Sequence, residues 1–307
     1  MKHFLTLADL TPEEFQAILD LAVRLKKEQK AGGNEPILKG KVMGMIFQKP
    51  SLRTRVSFDV AMLQLGGHAL YLSPNEIQLG KRESVADVAR VLSRFVDIVM
   101  ARVFAHADVA ELAAYASAPV INALSDYTHP CQGMGDFLTI LEHKGGFKGK
   151  KLAFLGDGNN VSTSLLFGAA KLGMDFAIAA PKGHELHPAV WGMGERFAAE
   201  SGAKLLATND PFEAVADADV IYTDVWTSMG QEAEAEKRKQ VFPPYQVNAG
   251  KLACAKEDVI VMHCLPAHRG EEITDEVADG PHSALFDEAE NRLHAEKAII
   301  AWSLDAA

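Results

Sequence analysis

The stretch Lys49-Pro50-Ser51-Leu52-Arg53-Thr54-Arg55 sets two arginines and two hydroxyls directly after the apolar run Val42–Phe47. Where a strand hands over to a helix, the first helical N–H groups lack intrahelical partners, and the helix dipole adds partial positive charge. Ser51 and Thr54 hydroxyls, with the forked donors of Arg53 and Arg55, turn such a helix start into an anion site suited to phosphate. It is not a Walker loop, because the GxxxxGK[ST] spacing is absent. The plainer alternative is a capped helix with solvated arginines.

Further polar groups follow other apolar runs. Arg102 ends Met100-Ala101-Arg102, a place where an arginine needs an anionic partner; a structural salt bridge is the alternative. His129-Pro130-Cys131-Gln132 offers an imidazole donor and an amide that both donates and accepts. Leu155-Gly156-Asp157-Gly158-Asn159-Asn160 resembles a dinucleotide turn, but Val161 stands where the third glycine belongs. Asn159 and Asn160 suit a polar zwitterion instead. Asp224, followed by Val225-Trp226-Thr227-Ser228-Met229-Gly230-Gln231, places a carboxylate before a polar loop, which suits an ammonium group or a merely solvated turn. His263-Cys264-Leu265-Pro266 invites a thiol-nucleophile reading. Adjacent residues of an extended segment point to opposite faces, however, so activation of Cys264 by His263 does not follow.

The elements that must position these groups alternate. Buried strands are expected at Val42–Phe47, Ala69–Leu72, Asp97–Ala101 and Val120–Ala123, with helices at Arg53–Gly66, Ser84–Phe95 and Val109–Ala116 between them. A second series has strands at Leu152–Leu155, Phe176–Ala180, Lys204–Ala207, Val220–Thr223 and Val259–Met262, and a closing helix at about Glu288–Leu304. This alternation predicts an α/β protein of two domains, each a mainly parallel sheet with helices on both faces. The expected domains are 1–145, joined by the C-terminal helix at about 288–307, and 150–287, divided at the glycine- and lysine-rich Lys144–Lys150. In open α/β sheets ligands sit beyond the carboxyl ends of strands, where the polar clusters fall.

The 307 residues match two domains at roughly 150 residues each. A net charge of −10, from 31 basic and 41 acidic residues, opposes a general nucleic-acid role. No apolar run reaches the ~18 residues of a membrane span. Three scattered cysteines point to cytoplasmic thiols rather than a disulfide framework or a structural zinc site. Thr11-Pro12-Glu13-Glu14 reads as a capping box opening an amphipathic helix, not a signal peptide. The acidic residues of that helix oppose a mitochondrial transit peptide.

Taken in order, SLRTR, MARVF, HPCQ, GDGNN, DVWTSMGQE, HCLPAHRGEE and Glu290-Asn291-Arg292 resemble the ornithine carbamoyltransferases of the aspartate/ornithine carbamoyltransferase family. The SMG loop and HCLP discriminate most, since aspartate carbamoyltransferases lack both. The resemblance spans nearly the whole chain and implies carbamoyl transfer from carbamoyl phosphate to the δ-amine of L-ornithine. It also implies no cofactor, no metal, and a homotrimer with shared sites; a cytoplasmic enzyme of arginine synthesis, the commoner role, is expected. Carbamoyl phosphate would be held by Ser51, Leu52, Arg53, Thr54, Arg55, Arg102, His129, Pro130, Cys131, Gln132, Cys264, Leu265 and Arg292, with Gln78 reaching a neighbouring subunit. Ornithine would be held by Asn160, Asp224, Ser228 and Met229. Arg102, His129 and Cys264 would be catalytic, with a covalent Cys264 intermediate as a rival route.

Two departures stand out. Leu52 replaces a threonine common among relatives, and Gly133 and Gly135 are expected to loosen the helix after HPCQ, since glycine costs roughly 1 kcal/mol in a helix interior. Alternatives are a sister enzyme acting on aspartate, putrescine or an acylated ornithine, a catabolic ornithine carbamoyltransferase, an NAD-dependent dehydrogenase on two Rossmann-like domains, and a non-enzymatic amino-acid-binding protein.

Overall fold

The computed structural model describes residues 1–227 and 232–306. The chain forms two compact units, one of Met1–Leu138 with Asn291–Ala307 and one of Thr139–Glu290. In the first, the order is α1 (Pro12–Lys30), β1 (Val42–Phe47), α2 (Leu52–Gln64), β2 (His68–Leu72), α3 (Pro74–Ile77), α4 (Val85–Leu92), β3 (Ile98–Arg102), α5 (His106–Tyr115), β4 (Val120–Leu124) and the start of α6 (Pro130–Lys144). The second carries β5 (Lys151–Leu155), α7 (Asn160–Leu172), β6 (Asp175–Ala179), α8 (Pro188–Ser201), β7 (Leu205–Thr208), α9 (Pro211–Val215) and β8 (Val220–Thr223). Then come α10 (Ala235–Val241), α11 (Ala249–Leu252), β9 (Ile260–His263), α12 (Asp275–Ala278) and the start of α13 (Leu285–Ser303). Among the described residues no helix is long and apolar enough to cross a membrane.

Both sheets are parallel, in the orders β2-β1-β3-β4 and β7-β6-β5-β8-β9. Parallel strands covered on both faces become unbroken apolar runs. β3 is such a run, fully buried from Ile98 to Arg102. Ile46, Val99, Ala101 and Val120 of the first sheet pack with Val85, Val88 and Ala89 of α4 and Val109 and Leu112 of α5. The second sheet buries Leu155, Ala177, Ile221 and Val261 against Ala214 and Val215 of α9. Ala69–Leu72, expected as a buried strand, is instead partly exposed on the sheet-edge strand β2, and the edge strand β7 is partly exposed as well.

The capping box forms as expected: Thr11 accepts from the Glu14 N–H at 3.1 Å, and Glu14 accepts from the Thr11 N–H at 3.0 Å. The expectation that Gly133 and Gly135 loosen their helix is corrected by an unbroken α6. A Cβ on Gly135 would lie 3.1 Å from the Arg292 Cα, so this glycine lets α13 approach α6 closely at Arg292. That contact is one of several between α13 and the rest of the first unit. Lys26 donates to Asn291 at 2.6 Å, and Lys297 donates to Asn34 at 2.6 Å.

Gly158 follows β5 and lies against another stretch of backbone. A Cβ there would meet the Glu185 carbonyl carbon at 2.4 Å, and the Gly158 N–H donates to the His184 carbonyl at 2.8 Å. Gly158→Ala is therefore expected to destabilise the protein by about 1–3 kcal/mol through overpacking. A urea unfolding midpoint equal to that of the parent protein would contradict this.

Candidate active site

The polar cluster of the first unit begins at the junction of β1 and α2. Ser51 is extended and caps α2; its hydroxyl lies 3.0 Å from the Thr54 hydroxyl and 3.5 Å from the Thr54 N–H. Thr54 is wholly buried, yet its neighbours are cations. Arg292 of α13 donates to the Thr54 Oγ1 at 2.6 Å, and Arg102, at the end of β3, donates to the same atom at 3.2 Å. Both arginines are themselves buried. Arg292 also reaches the Gln132 Oε1 at 3.4 Å, while the Gln132 amide donates to Asp136 at 2.8 Å. Thus Ser51, Thr54, Arg102, Gln132 and Arg292, scattered over most of the sequence, are joined in one hydrogen-bonded group.

His129 sits immediately before α6 and is buried. Its pKa is held well below the usual imidazole value, first by burial and then by Arg292, Arg102 and Arg53. It is neutral at pH 7, and a neutral imidazole retains one N–H donor. Pro130 opens α6. Cys131 turns into the core, where its thiol donates to the Asn122 carbonyl at 3.3 Å and burial pushes its pKa well up.

Three residues expected here have other settings. Leu52 is the first residue of α2 and is 76% exposed, so any contribution to an anion comes through its backbone. Arg55 is exposed and stacks on Tyr71, with its guanidinium carbon 4.2 Å from the ring centroid. Gln78 is an exposed, left-handed residue ending α3, and its amide donates to the Asn75 carbonyl at 3.2 Å.

The polar cluster of the second unit is built around Asp224, directly after β8. This carboxylate is buried and accepts from the Asn159 amide at 2.8 Å, the Val225 N–H at 2.8 Å and the Cys264 thiol at 3.1 Å. Asn159 also caps α7, accepting from the Val161 and Ser162 N–H groups at 3.0 Å. Asn160, expected to bind ornithine, is the first residue of α7, and its neighbour Asn159 is the residue that orients Asp224. Ser228 and Met229 lie outside the described residues.

After β9, Leu265 has a positive φ of 56°, sparsely populated for a branched side chain, and its N–H donates to the His263 Nδ1 at 2.8 Å. His263 lies 3.1 Å from Glu272 through Nε2. With Nδ1 accepting, the ring is the Nε2–H tautomer, and the imidazole serves Glu272 rather than Cys264. Asp224, His263 and Cys264 offer possible ligand atoms within 4.8 Å of one another. Both His263 ring nitrogens are already engaged, however, which leaves no lone pair for a metal ion.

Arg238 was not legible as a site residue. It is buried on α10, donates to the Trp226 carbonyl at 2.8 Å and pairs with Asp157 at 2.9 Å, tethering the loop after Asp224 to the loop after β5. Burial raises the Asp157 pKa against the pull of Arg238 and His184.

The description "Aspartate/ornithine carbamoyltransferase, carbamoyl-P binding domain" matches residues 2–142, and "Aspartate/ornithine carbamoyltransferase, Asp/Orn binding domain" matches residues 148–303. The chain belongs to the aspartate/ornithine carbamoyltransferase family. Among family members, ornithine carbamoyltransferase of Pyrococcus horikoshii is 57% identical over 99% of this chain and 96% of its own. The structure of ornithine carbamoyltransferase from Pyrococcus furiosus matches with a TM-score of 0.95 at 56% identity, covering 98% of this chain and 96% of that one. Anabolic ornithine carbamoyltransferase from Campylobacter jejuni matches with a TM-score of 0.94 at 43% identity, covering 99% of both chains.

The Arg238–Asp157 pair yields a stability test. Arg238→Met would leave buried Asp157 with only His184, 3.4 Å away, beside it, which is expected to cost about 3 kcal/mol. Chemical denaturation of the variant checks this, and a loss below 1 kcal/mol would show that Asp157 does not depend on the arginine.

Proposed function

We propose that this protein is an ornithine carbamoyltransferase that converts carbamoyl phosphate and L-ornithine to L-citrulline and phosphate in arginine biosynthesis. The observation that carries this reading is the buried convergence of Arg102 and Arg292 on Thr54 beside the N-terminus of α2. Like charges at close range repel, and a phosphate dianion relieves that repulsion with charge-assisted bonds worth about 1.5–3 kcal/mol each. The curated relative from Pyrococcus furiosus, 56% identical, is described as an anabolic ornithine carbamoyltransferase, which supports the biosynthetic role.

In this reaction the ornithine amine attacks the planar carbamoyl carbon. A C–N bond forms, the C–O bond to phosphate breaks, and the amine releases a proton. The carbonyl oxygen gains charge in the transition state, and Arg102, neutral His129 and the Thr54 hydroxyl are donors suited to it. Arg53, Arg292 and the start of α2 receive the departing phosphate. Asp224, oriented by Asn159, takes the α-ammonium of ornithine. Ser228 and Met229 complete the amino-acid side of the reading, and Cys264 and Leu265 line the reacting end. The thiol donates to Asp224 and acts as a positioned lining group, since a bound amine attacks directly when its orientation is fixed. The reaction runs in the cytoplasm without a cofactor.

The deciding experiment is citrulline formation by the purified protein from carbamoyl phosphate and ornithine, with no metal or nicotinamide added. Failure to form citrulline under these conditions would end this reading. Cys264→Ser should slow turnover without abolishing it, whereas complete loss together with a trapped carbamoyl-cysteine would favour the covalent route.

We further propose a homotrimer in which Gln78 of one subunit serves the carbamoyl phosphate of the next. Leu52, Val56 and Leu63 lie exposed along α2, and such apolar side chains favour burial in an assembly. Gln78→Ala and Arg102→Ala should each be weak enzymes. Refolded together, they form some sites that draw Arg102 from one parent and Gln78 from the other, and activity should exceed that of either parent. Hybrid trimers no more active than the parents would remove Gln78 from the site.

A further inference from the structure

Glu296 lies one turn beyond Arg292 on α13 and is wholly buried. Its Oε1 accepts from the Arg292 Nε at 2.9 Å. Nε is the inner nitrogen of the guanidinium fork, so fixing it sets the plane in which the two outer nitrogens point. Those outer nitrogens are the ones that reach Thr54 at 2.6 Å and Gln132 at 3.4 Å. A carboxylate this close to an anion site has two opposite effects. It aims a donor, and its charge repels the ligand.

We propose that Glu296 is a positioning residue for the anion site, holding Arg292 by Nε so that its terminal nitrogens face the phosphate, and taking up a proton from solvent as phosphate dianion binds wherever it is ionised in the free protein. The proposal rests on the carbamoyl-phosphate reading of this cluster. Burial is the physical basis of the proton uptake. It pushes the Glu296 pKa up to about 7, against the pull of Arg292 and a hydrogen bond from Ser57. A dianion on the far side of Arg292 disfavours the carboxylate further, because a nearby like charge raises a carboxyl pKa. The protonated acid still accepts from the Arg292 Nε through its carbonyl oxygen, so aim survives while repulsion is removed.

The other groups around this pair do not duplicate the effect. From α2 the acid faces Ser57, whose hydroxyl donates to the Arg53 carbonyl at 2.7 Å. From α6 it faces Cys131, whose thiol stays protonated, while the Gln132 partner of Arg292 is itself tied to Asp136. His129 is held neutral by burial and by Arg292, Arg102 and Arg53. Lys297, whose pKa burial lowers to about 8, is bonded to Gln29 and Asn34 instead.

The sign follows from linkage. Below about pH 7 the acid is already protonated in the free protein and costs the ligand nothing. As pH rises through that value, affinity falls, because binding must first draw in a proton. For a group titrating near 7, the loss at pH 8 is at most about tenfold. Glu296→Gln keeps the accepting oxygen and removes the charge. Titration calorimetry with inorganic phosphate should show this variant equal to the parent at pH 6 and up to about tenfold tighter at pH 8. The ionisation of phosphate itself is common to both proteins and cancels in the ratio. The same ratio is expected in KM for carbamoyl phosphate. Glu296→Ala, which loses the acceptor, should bind phosphate several-fold more weakly than the parent at pH 6. A Gln-to-parent ratio that does not change between pH 6 and pH 8 overturns the proton uptake. Parent-like affinity of the Ala variant at pH 6 overturns the positioning role. Phosphate affinity is read without turnover, so a protein with this pH dependence that makes no citrulline sinks the functional reading and leaves Glu296 standing.

Discussion

One hydroxyl oxygen that accepts from two buried guanidinium groups organises the first unit. Arg102 reaches Thr54 from the end of a fully buried strand, and Arg292 reaches it from a helix far along the chain. Two cations a few ångströms apart in a low-dielectric interior repel strongly. The fold must hold them there by other means. The core around β3 fixes Arg102, and Glu296 fixes Arg292. Gly135 allows the backbone at Arg292 to come close enough for the bond to Thr54 to form. Burial, and after it the same concentration of charge, keeps His129 neutral.

The second unit inverts this arrangement. Its central group is an anion, Asp224, surrounded by donors from three segments: Asn159, the Val225 N–H and Cys264. A pre-oriented carboxylate is the natural complement of an ammonium group. Behind it lies a buried polar network in which Glu288 accepts from the Tyr222 hydroxyl and the His263 N–H, and Glu272 bonds His263. That network fixes the strand from which Cys264 emerges. The excess of acidic residues over the whole chain matters little to either cluster, since exposed charges beyond about 8 Å are screened at physiological salt.

Much of this was legible in the residues. Strand–helix alternation predicted two parallel α/β sheets, because buried parallel strands carry continuous apolar runs and their polar residues collect at the carboxyl ends. The helix start from Ser51 to Thr54 was readable because a hydroxyl after an apolar strand run caps the helix that follows. The exposure of β2 and β7 was not readable, since strand order in a sheet depends on long-range pairing. Asn159 and Asn160 are chemically identical neighbours, and only the turn of α7 decides which one faces Asp224. Arg55 looked equivalent to Arg53, but a helix turns about 100° per residue, and two positions on it stands over Tyr71. Arg238 and Glu296 sit in stretches whose composition suggests ordinary solvated helix. Their burial comes from tertiary packing alone.

The close fit at Gly158 has a consequence for what kind of molecule the second unit can hold. In dinucleotide-binding turns of the same strand–loop–helix form, a glycine at this position admits a pyrophosphate, and its amide faces the ligand. Here both opportunities are taken by the chain itself. The backbone at Glu185 lies where an incoming phosphate would approach, and the His184 carbonyl takes the amide hydrogen. The turn keeps the outline of a nucleotide cradle with its own polypeptide already seated in it. The nearest oriented charge along these strand ends is the Asp224 carboxylate, a group complementary to an ammonium rather than to a pyrophosphate.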